Sequence, residues 1–257
     1  MSNKIITLGD SHCGHIAGLT PPDWWFSPRR YPKARKTQEL YWREFESHVK
    51  KHRKPDVLIC NGDAIDGRGE RSGSTELITT DRSDQCKMAI EALQMFEADK
   101  IFLTAGTPYH TGKLEDWEQL IADELGAEFH DHLFIEIDKV IFSVKHKPAG
   151  GSQVPHGRHT GIARDRLWNV LQADIEEQPK ADIILRSHQH YHTGSFGPDW
   201  LAMILPALQG PGSKYGSRQC AGIVDWGIVI FETKKGGYTW RAETKRLKMA
   251  KKKLIRL

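Results

Sequence analysis

Long apolar runs and paired cysteines are both absent from the sequence, and each absence narrows the classes of protein to consider. No stretch approaches the ~18 consecutive apolar residues of a membrane-spanning helix, and the polar start MSNK differs from a signal peptide. The four cysteines are scattered with no CxxC pair, which argues against a zinc ribbon or a disulfide framework and fits a reducing compartment. We therefore expect a cytosolic protein that makes no contact with a membrane.

The length and composition are those of an ordinary globular protein. The chain has 257 residues, of which 39% are hydrophobic and 27% charged, so it can bury a sizeable core. It contains no internal repeat and no low-complexity linker. A single domain spanning residues 1–257 is the simplest interpretation.

The small net charge of +4 conceals two strongly basic segments. Residues 28–54 hold ten Lys or Arg against three Glu, and residues 245–257 hold seven Lys or Arg and no acidic residue. We interpret the first as part of a segment inserted at about 15–54 and the second as a basic C-terminal tail. Such blocks suit the phosphate backbone of DNA or RNA, although a solvated helix face or tail is their commoner cause.

Apolar runs and helical stripes alternate along most of the chain. KIITLGD, DVLICNGD, KIFLTAG and ADIILRSH have the composition of buried strands. Apolar stripes at helical spacing lie between them, within residues 36–54, 86–96, 117–125 and 167–175. The alternation predicts strands joined through helices.

The remaining apolar segments predict strands that are not separated by helices. HLFIEI and VIFSVKH are predicted to pair through a tight turn at Asp138-Lys139. In the last third of the chain, WLAMILPALQ, WGIVIFET and GYTWRAETKRL predict antiparallel strands. Together the segments predict an α/β fold, a layered domain with mixed central β-sheets, or two packed sheets, flanked by helices.

Potential metal ligands follow five of the predicted strands at their carboxyl ends, where ligands gather in α/β sheets. These residues are, in chain order, Asp10 and His12, Asp63 and Asp66, His110, His146, and His188 with His190. Carboxylates and imidazoles together suit Mn²⁺, Fe, Zn²⁺ or Co²⁺, and no thiolate is needed. The set exceeds what one tetrahedral ion can use. It suffices for two ions ~3.5–4 Å apart that share a bridging carboxylate, as in two-metal hydrolases.

Several of these side chains have an alternative structural role. An aspartate after a strand commonly caps the following helix, which is the alternative for Asp10 and Asp63. Asp66 suits orienting a ligand or capping a turn better than binding metal. Trp24 and Trp25, just after the first metal loop, either rim a substrate cleft or form a surface hydrophobic cluster.

The order of the motifs resembles that of a known family, the calcineurin-like metallophosphoesterases. GDSH, NGDAID, a glycine-led third loop ending in His, a His after the fifth strand, and SHQH follow the family pattern D-x-H, G-D-x-x-[DN], G-N-H-[DE], H and G-H-x-H. The resemblance runs from Asp10 to His190, and four of the five motifs match closely. DSHCGH, the long insert before NGDAIDG, and GTPYHTG are most similar to a subset common among phage and prophage proteins. Such a protein would act in the bacterial host cytoplasm.

The resemblance implies a calcineurin-like layered fold and two divalent metal ions. It implies that the first ion is held by Asp10, His12 and His190, that Asp63 bridges, and that His146 and His188 hold the second ion. Mn²⁺ is the ion we expect first, with Fe, Zn²⁺, Ni²⁺ and Co²⁺ as the other candidates.

The third motif departs from the family pattern. The family places a ligand Asn directly before a catalytic His, whereas here Thr107 stands at the Asn position and His110 follows three residues later. A neutral hydroxyl is a poor ligand. His110 therefore either replaces the missing ligand or, as we favour, contacts the phosphate and the leaving oxygen as a catalytic residue.

The predicted function is hydrolysis of a phosphate-ester substrate by a dinuclear metal-dependent phosphoesterase. The basic segments favour phosphodiester bonds of nucleic acid or nucleotides. The first alternative is a phosphatase or cyclic-nucleotide phosphodiesterase that acts on a small substrate. The second is a nucleic-acid-binding protein without catalytic activity.

Overall fold

The computed structural model describes residues 2–70, 73–112, 115–152, 154–211 and 223–247. Residues 248–257, which make up most of the predicted basic tail, lie outside these ranges. No helix in the described ranges combines the length and the apolar content that crossing a bilayer requires.

Two mixed β-sheets form the centre of the structure. The strands are Asn3–Leu8 (β1), Val57–Asn61 (β2), Lys100–Thr104 (β3), Glu128–His130 (β4), Leu133–Ile137 (β5), Val140–Val144 (β6), Ile183–Arg186 (β7), Thr193–Phe196 (β8), Leu201–Ile204 (β9), Trp226–Lys234 (β10) and Gly237–Lys245 (β11). The first sheet has the order β11-β10-β1-β2-β3-β4, and the second has the order β5-β6-β7-β9-β8. β1 to β4 are parallel, and so are β6, β7 and β9.

Helices connect the neighbouring parallel strands of the two sheets, except for β7 and β9. They are Pro32–His52 (α1), Arg82–Gln94 (α2), Pro108–Thr111 (α3), Trp117–Leu125 (α4) and Thr160–Asp174 (α5). α1 has proline in its first turn, where the missing N–H costs no helical hydrogen bond. Asp81 caps α2, because its carboxylate accepts from the Ser83 amide at 2.8 Å.

Side chains alternate along the central strands between two apolar cores. On β1, Ile6 and Leu8 pack into the core with α1, α2 and α4, whereas Ile5 packs into the core between the two sheets. A third core joins α5, through Ile162, to the other face of the second sheet. The layers are therefore helices, sheet, sheet and helix.

The predicted α/β class, with mixed sheets flanked by helices, is confirmed. Asp138 and Lys139 form the predicted turn with φ of 52° and 67°, and β10 and β11 are the predicted antiparallel pair. The prediction was incomplete for WLAMILPALQ. Its strand, β9, is antiparallel to β8 but parallel to β7, because β7 and β9 are joined by a segment that reverses direction through β8.

The apolar stripe of α5 lies on the exposed side of that helix. Leu167, Trp168, Leu171 and Ile175 are between 45% and 64% exposed. The buried face consists instead of Gly161, Ile162 and Asn169. The stripe thus predicted the helix but not the face that packs on the sheet.

Candidate metal centre

The candidate centre lies where strands of both sheets end. The loops after β1 and β2 are joined by hydrogen bonds from the Asp10 and His12 amides to the carbonyl oxygens of Gly62 and Asp63, both at 3.0 Å. The loops after β6 and β7 are joined by the Ser187 amide, which donates to the His146 carbonyl at 2.8 Å. Hydrogen bonds also connect the two halves, among them one in which the His188 amide donates to Asp10 Oδ2 at 3.0 Å.

The first group of potential ligands comprises Asp10, His12 and His190. Asp10 Oδ1 lies 3.3 Å from His190 Nε2 and 3.8 Å from His12 Nε2. The two Nε2 atoms are 3.2 Å apart. Three ligand atoms, two from the loop after β1 and one from the loop after β7, therefore lie within reach of one ion.

The second group comprises Asp63, His146 and His188. His146 Nε2 lies 2.9 Å from Asp63 Oδ2, and the His146 and His188 rings are 5.4 Å apart. The two groups adjoin, because Asp10 Oδ1 is also 3.8 Å from His146 Nε2. All six sequence-predicted ligands are thus brought together, three in each group.

Two atoms at the junction of the groups fit a bound cation. Asp10 and His146 are 0% and 2% exposed, and in the described part of the chain Asp10 Oδ1 and His146 Nε2 have no hydrogen-bond partner. A buried polar atom without a partner costs free energy, which a metal ion would relieve. The donor set of carboxylate oxygens and imidazole nitrogens fits divalent ions of the Mn²⁺ to Zn²⁺ series.

Five of the six potential ligands have left-handed backbone conformations. The φ angles are 51° at Asp10, 44° at His12, 51° at Asp63, 71° at His188 and 54° at His190. Such a conformation costs a residue other than glycine of order 1–3 kcal/mol and clusters at functional sites. The strain at these loops supports a functional role over helix capping.

The buried carboxylates are held ionised by the imidazoles around them. Burial opposes ionisation of Asp10, but the charge of His190 and the contacts with His12 and His190 hold the pKa of Asp10 well below its ordinary value. Burial likewise opposes ionisation of Asp63, and the charge and contact of His146 lower its pKa. The centre therefore requires positive charge beside its carboxylates, which protons or metal ions can supply.

The imidazoles of the centre differ in their proton affinity, and the difference does not follow the two groups. Burial alone would lower the pKa of His146, but contacts with Asp63 and Asp10 raise it to about 9. Burial disfavours the charged form of His12, yet its contacts with Asp10 and Asp66 raise its pKa to about 10. For His188, burial and the charge of His146 lower the pKa to about 4. His188 is thus neutral near pH 7, which is the form that binds metal.

Two of the histidines are oriented by acceptors on their Nδ1 atoms. His12 Nδ1 lies 2.9 Å from Asp66 Oδ1, and His146 Nδ1 lies 2.8 Å from the Asn61 carbonyl oxygen. Because both partners accept, each Nδ1 carries the proton, and Nε2 is left for a metal ion. Asp66 thus orients a ligand, the role favoured from the sequence.

Asp66→Ala should weaken metal binding at the first group by ~10–100-fold, because His12 loses the acceptor that fixes its ring and tautomer. Titration of the metal-free protein with Mn²⁺ measures the change. Asp138→Ala is the matched control, since that carboxylate accepts from Asn3 and Thr233 outside the centre. Equal Mn²⁺ affinity in the folded Asp66→Ala protein and the wild type would refute this role.

Thr107 acts on the carboxylate of Asp63. Its amide donates to Asp63 Oδ1 at 2.6 Å, and its hydroxyl is 3.1 Å from the same oxygen. Thr107 therefore positions the Asp63 carboxylate, mainly through Oδ1, and its hydroxyl also lies 3.3 Å from Oδ2, the oxygen that faces His146. This accounts for a threonine at a position where a ligand was expected.

His110 adjoins the first group. Its Nδ1 lies 2.7 Å from the carbonyl oxygen of Asp66, so Nδ1 donates and Nε2 is the free nitrogen. Its ring is perpendicular to that of His12, with centroids 4.6 Å apart, and is 19% exposed. Burial and the charge of His12 lower its pKa. The position suits both roles that the sequence left open.

Glu118 on α4 is a positioning residue that the sequence analysis missed. Its two carboxylate oxygens accept from the Ala64 amide at 2.7 Å and the Gly106 amide at 2.6 Å. Burial, followed by the charge of Asp63, raises the pKa of Glu118 to about 8. It ties together the loops that carry Asp63 and Thr107. The available signal was a glutamate on the apolar face of a helix, one turn before Ile121.

Asn61 at the end of β2 links the two sheets beneath the centre. Its amide donates to Ser187 Oγ at 2.9 Å, and its side-chain oxygen accepts from Thr104 Oγ1 at 2.7 Å. The next residue, Gly62, has φ of 71°, and a Cβ there would lie 2.6 Å from His146 Nδ1. The glycine of the NGD motif thus allows the backbone to approach a ligand.

The tryptophans after the first loop belong to a hydrophobic cluster. Trp24 and Trp25 pack against the core of the first sheet. Trp25 Nε1 donates to the Thr20 carbonyl at 2.8 Å, and the Arg35 guanidinium lies 4.3 Å from the Trp25 ring centre. These contacts favour the cluster over a substrate rim.

Comparison with known proteins shows similarity only to solved structures. No protein-family model and no curated protein matches the chain. A single mutant of Vps29 from Entamoeba histolytica is 11% identical with a TM-score of 0.49, covering 94% of this chain and 99% of that one. A predicted phosphoesterase from Streptococcus pneumoniae is 13% identical with a TM-score of 0.43, covering 95% and 90%. An archaeal phosphodiesterase is 19% identical with a TM-score of 0.39, covering 93% and 99%.

Proposed function

We propose that the protein is a dinuclear metal-dependent phosphoesterase of the calcineurin-like metallophosphoesterase family that hydrolyses phosphodiester bonds of nucleic acid or nucleotides. The observation that supports this most is the convergence of two adjoining ligand groups, at whose junction Asp10 Oδ1 and His146 Nε2 have no hydrogen-bond partner among the residues that the structure describes. A single ion with a purely structural role would need the ligands of only one of these groups.

The residues divide between the two ions as the motif order implies. Asp10, His12 and His190 would hold one ion, and Asp63, His146 and His188 the other, with Mn²⁺ as the expected metal. When bound, such ions polarise phosphoryl oxygens and provide a nucleophile from water at neutral pH. The bridging role of Asp63 remains a prediction.

The chain itself supplies orientation and proton transfer. Asp66 fixes the ring of His12, and Glu118 with Thr107 fixes Asp63. His110 holds its Nδ1 proton on the Asp66 carbonyl, so a proton delivered to the leaving alkoxide must come from Nε2. The negative charge of a bound phosphate favours the protonated imidazole that this step requires.

The basic residues near the start of α1 support a nucleic-acid substrate. α1 runs back across the first sheet from the edge where β1 ends, which is the edge that carries the centre. Arg29, Lys33 and Lys36 are exposed here, and none forms an ion pair within the described ranges. Their charge is available to a phosphate backbone.

The basic residues at the other end of α1 support the second candidate, a phosphatase or phosphodiesterase for a small ester. Lys51 pairs with Glu243, and Arg53 and Lys54 both pair with Glu97. These three cations share two carboxylates within the chain, so most of their charge is compensated. The basic segment therefore presents less charge to a partner than its composition indicates.

A substrate panel with Mn²⁺ tests the proposed function and separates the two candidates. Bis-(p-nitrophenyl) phosphate, p-nitrophenyl phosphate, cyclic nucleotides and single- and double-stranded DNA should be compared, each with and without EDTA. We expect diester hydrolysis that EDTA abolishes. DNA affinity should fall with salt on a log–log slope of about −0.7 per neutralised phosphate for single strands and −0.9 for duplex.

Variants at and beside the two ends of α1 test the substrate assignment. Arg29→Ala/Lys33→Ala/Lys36→Ala should flatten the salt slope, whereas the matched control Arg53→Ala/Lys54→Ala should leave it unchanged. Small-ester turnover without DNA affinity at low salt would favour the second candidate. DNA binding that persists in EDTA, with no hydrolysis of any ester, would refute the enzyme proposal.

A further inference from the structure

A second cluster of metal-ligating side chains lies away from the candidate centre. His48 and His52 are one helical turn apart on α1, so their rings lie on the same face of the helix, and Glu243 on β11 meets them. Glu243 Oε2 is 3.3 Å from His48 Nδ1 and 3.1 Å from His52 Nε2. The three potential ligand atoms lie within 4.8 Å of one another.

The carboxylate of Glu243 has one oxygen engaged and one facing the imidazoles. Oε1 accepts from Lys51 Nζ at 2.7 Å and from Arg241 Nε at 3.4 Å. Oε2 is the atom that approaches both histidines. Hydrogen bonds to the outer oxygen of a carboxylate orient it for a metal ion on the inner one.

His52 presents a buried nitrogen without a hydrogen-bond partner. The side chain is 2% exposed, and Nε2 makes no hydrogen bond in the described part of the chain, although Glu243 Oε2 is only 3.1 Å away. Buried ring nitrogens normally have a partner, because an unpaired one costs free energy. A metal ion between the nitrogen and the carboxylate removes that cost.

The ring of His48 is fixed by packing. Its centroid lies 5.7 Å from that of Trp226, with an interplanar angle of 31°. Trp226 is fully buried on β10, so it holds the His48 ring beside the edge of the first sheet. A ligand that is held in place before binding loses little entropy when the ion arrives.

We propose that His48, His52 and Glu243 form a third metal site, for Zn²⁺, that fastens α1 to the edge strand β11. Two imidazoles and one carboxylate are an established zinc ligand set. Ligand atoms at ~2.0–2.1 Å from a tetrahedral ion are separated by roughly 3.3 Å, which agrees with the distances of 3.3 Å and 3.1 Å to Oε2. His48 and Glu243 are 15% and 16% exposed, so water can occupy the fourth position.

The site differs from the proposed catalytic centre in its ligands and in the property that it affects, which is stability and not hydrolysis. None of its residues is a candidate ligand of the two ions, and no hydrolytic step uses them. Its expected effect is on the stability of the contact between helix and strand. Zn²⁺ at ~100-fold above its dissociation constant should raise Tm by about 5–10 °C.

Zinc stoichiometry of matched variants tests the proposal. Metal-free wild type, His48→Ala and Glu243→Gln should be titrated with Zn²⁺, with Lys51→Ala as the control that removes a contact to Glu243 but no ligand. We expect both ligand variants to bind one Zn²⁺ fewer per chain than wild type, and to lose that part of the Zn²⁺-induced Tm rise. Lys51→Ala should retain both. Glu243→Gln keeps the shape of the side chain, so a folding defect in His48→Ala does not decide the outcome.

The decisive quantity is the difference between the wild type and the variants in the number of Zn²⁺ ions bound per chain. Equal stoichiometry in wild type, His48→Ala and Glu243→Gln overturns the proposal and leaves the cluster as a hydrogen-bonded contact. Hydrolysis of bis-(p-nitrophenyl) phosphate is measured in parallel and should be the same in all four proteins. If the proposed catalytic function fails, that assay is negative throughout, while the difference of one Zn²⁺ is unaffected.

Discussion

Asp63→Asn should abolish hydrolysis of phosphodiesters and lower the metal content of the protein. The substitution keeps the size of the side chain and an oxygen that can accept from Thr107, but it removes the negative charge beside His146. Bound ions supply several kcal/mol of charge stabilisation in such centres. Since each 1.36 kcal/mol is tenfold in rate, we expect a fall in kcat/KM of ~10³-fold or more.

The measurement combines kinetics with metal analysis. Turnover of bis-(p-nitrophenyl) phosphate in Mn²⁺ gives kcat/KM, and plasma mass spectrometry gives ions per chain. Asp182→Asn is the matched control, because its carboxylate accepts from the Ile141 amide at the opposite end of the second sheet. Wild-type activity with full metal content in Asp63→Asn would refute the bridging role and the two-metal mechanism.

His110→Ala should slow hydrolysis of esters with poor leaving groups by ~10²–10⁴-fold and leave both ions bound. An alkoxide leaving group needs a proton as the bond to phosphorus breaks, and Nε2 of His110 is the free nitrogen that can deliver it. A p-nitrophenolate leaves without protonation. Its release should therefore change much less.

The comparison of leaving groups is the readout that separates the two roles of His110. Rates for alkyl and nitrophenyl diesters should be measured on the same preparation, together with its metal content. His192→Ala is the control, since the Nδ1 of that histidine is held by the Ile204 carbonyl at 2.8 Å, outside both ligand groups. Loss of one ion in His110→Ala, with equal slowing of all esters, would identify His110 as a ligand.

The identity of the ligand candidates was predictable because it is a local property of the strand ends. A short apolar run ends just before the polar side chains begin, and both features lie close together in the sequence, as with Leu8 and Asp10 or Leu185 and His188. Parallel strands in one sheet then place their carboxyl ends at one edge. The order of the motifs added the expected division between two ions.

The roles of the supporting residues were not predictable, because their partners are far away in the sequence. Glu118 reaches amides at 64 and 106, and Asn61 reaches Ser187 across the boundary between the sheets. The sequence does not show which hydrogen-bond partner a carboxylate or amide side chain in the core will contact. Only the packing of α4 on the first sheet, and of one sheet on the other, selects the partner.

The sequence by itself thus determined most of the strands and helices, although not β4, β8 or α3, and it determined which side chains stand at the strand ends, because periodicity and motif spacing are carried by neighbouring residues. Only the tertiary structure decided that β9 runs parallel to β7, that the apolar stripe of α5 is exposed, and that His52 meets Glu243. Each of these depends on contacts between segments far apart in the chain. Such contacts are set by how complete elements pack, and a local pattern specifies the element but not the surface it will meet.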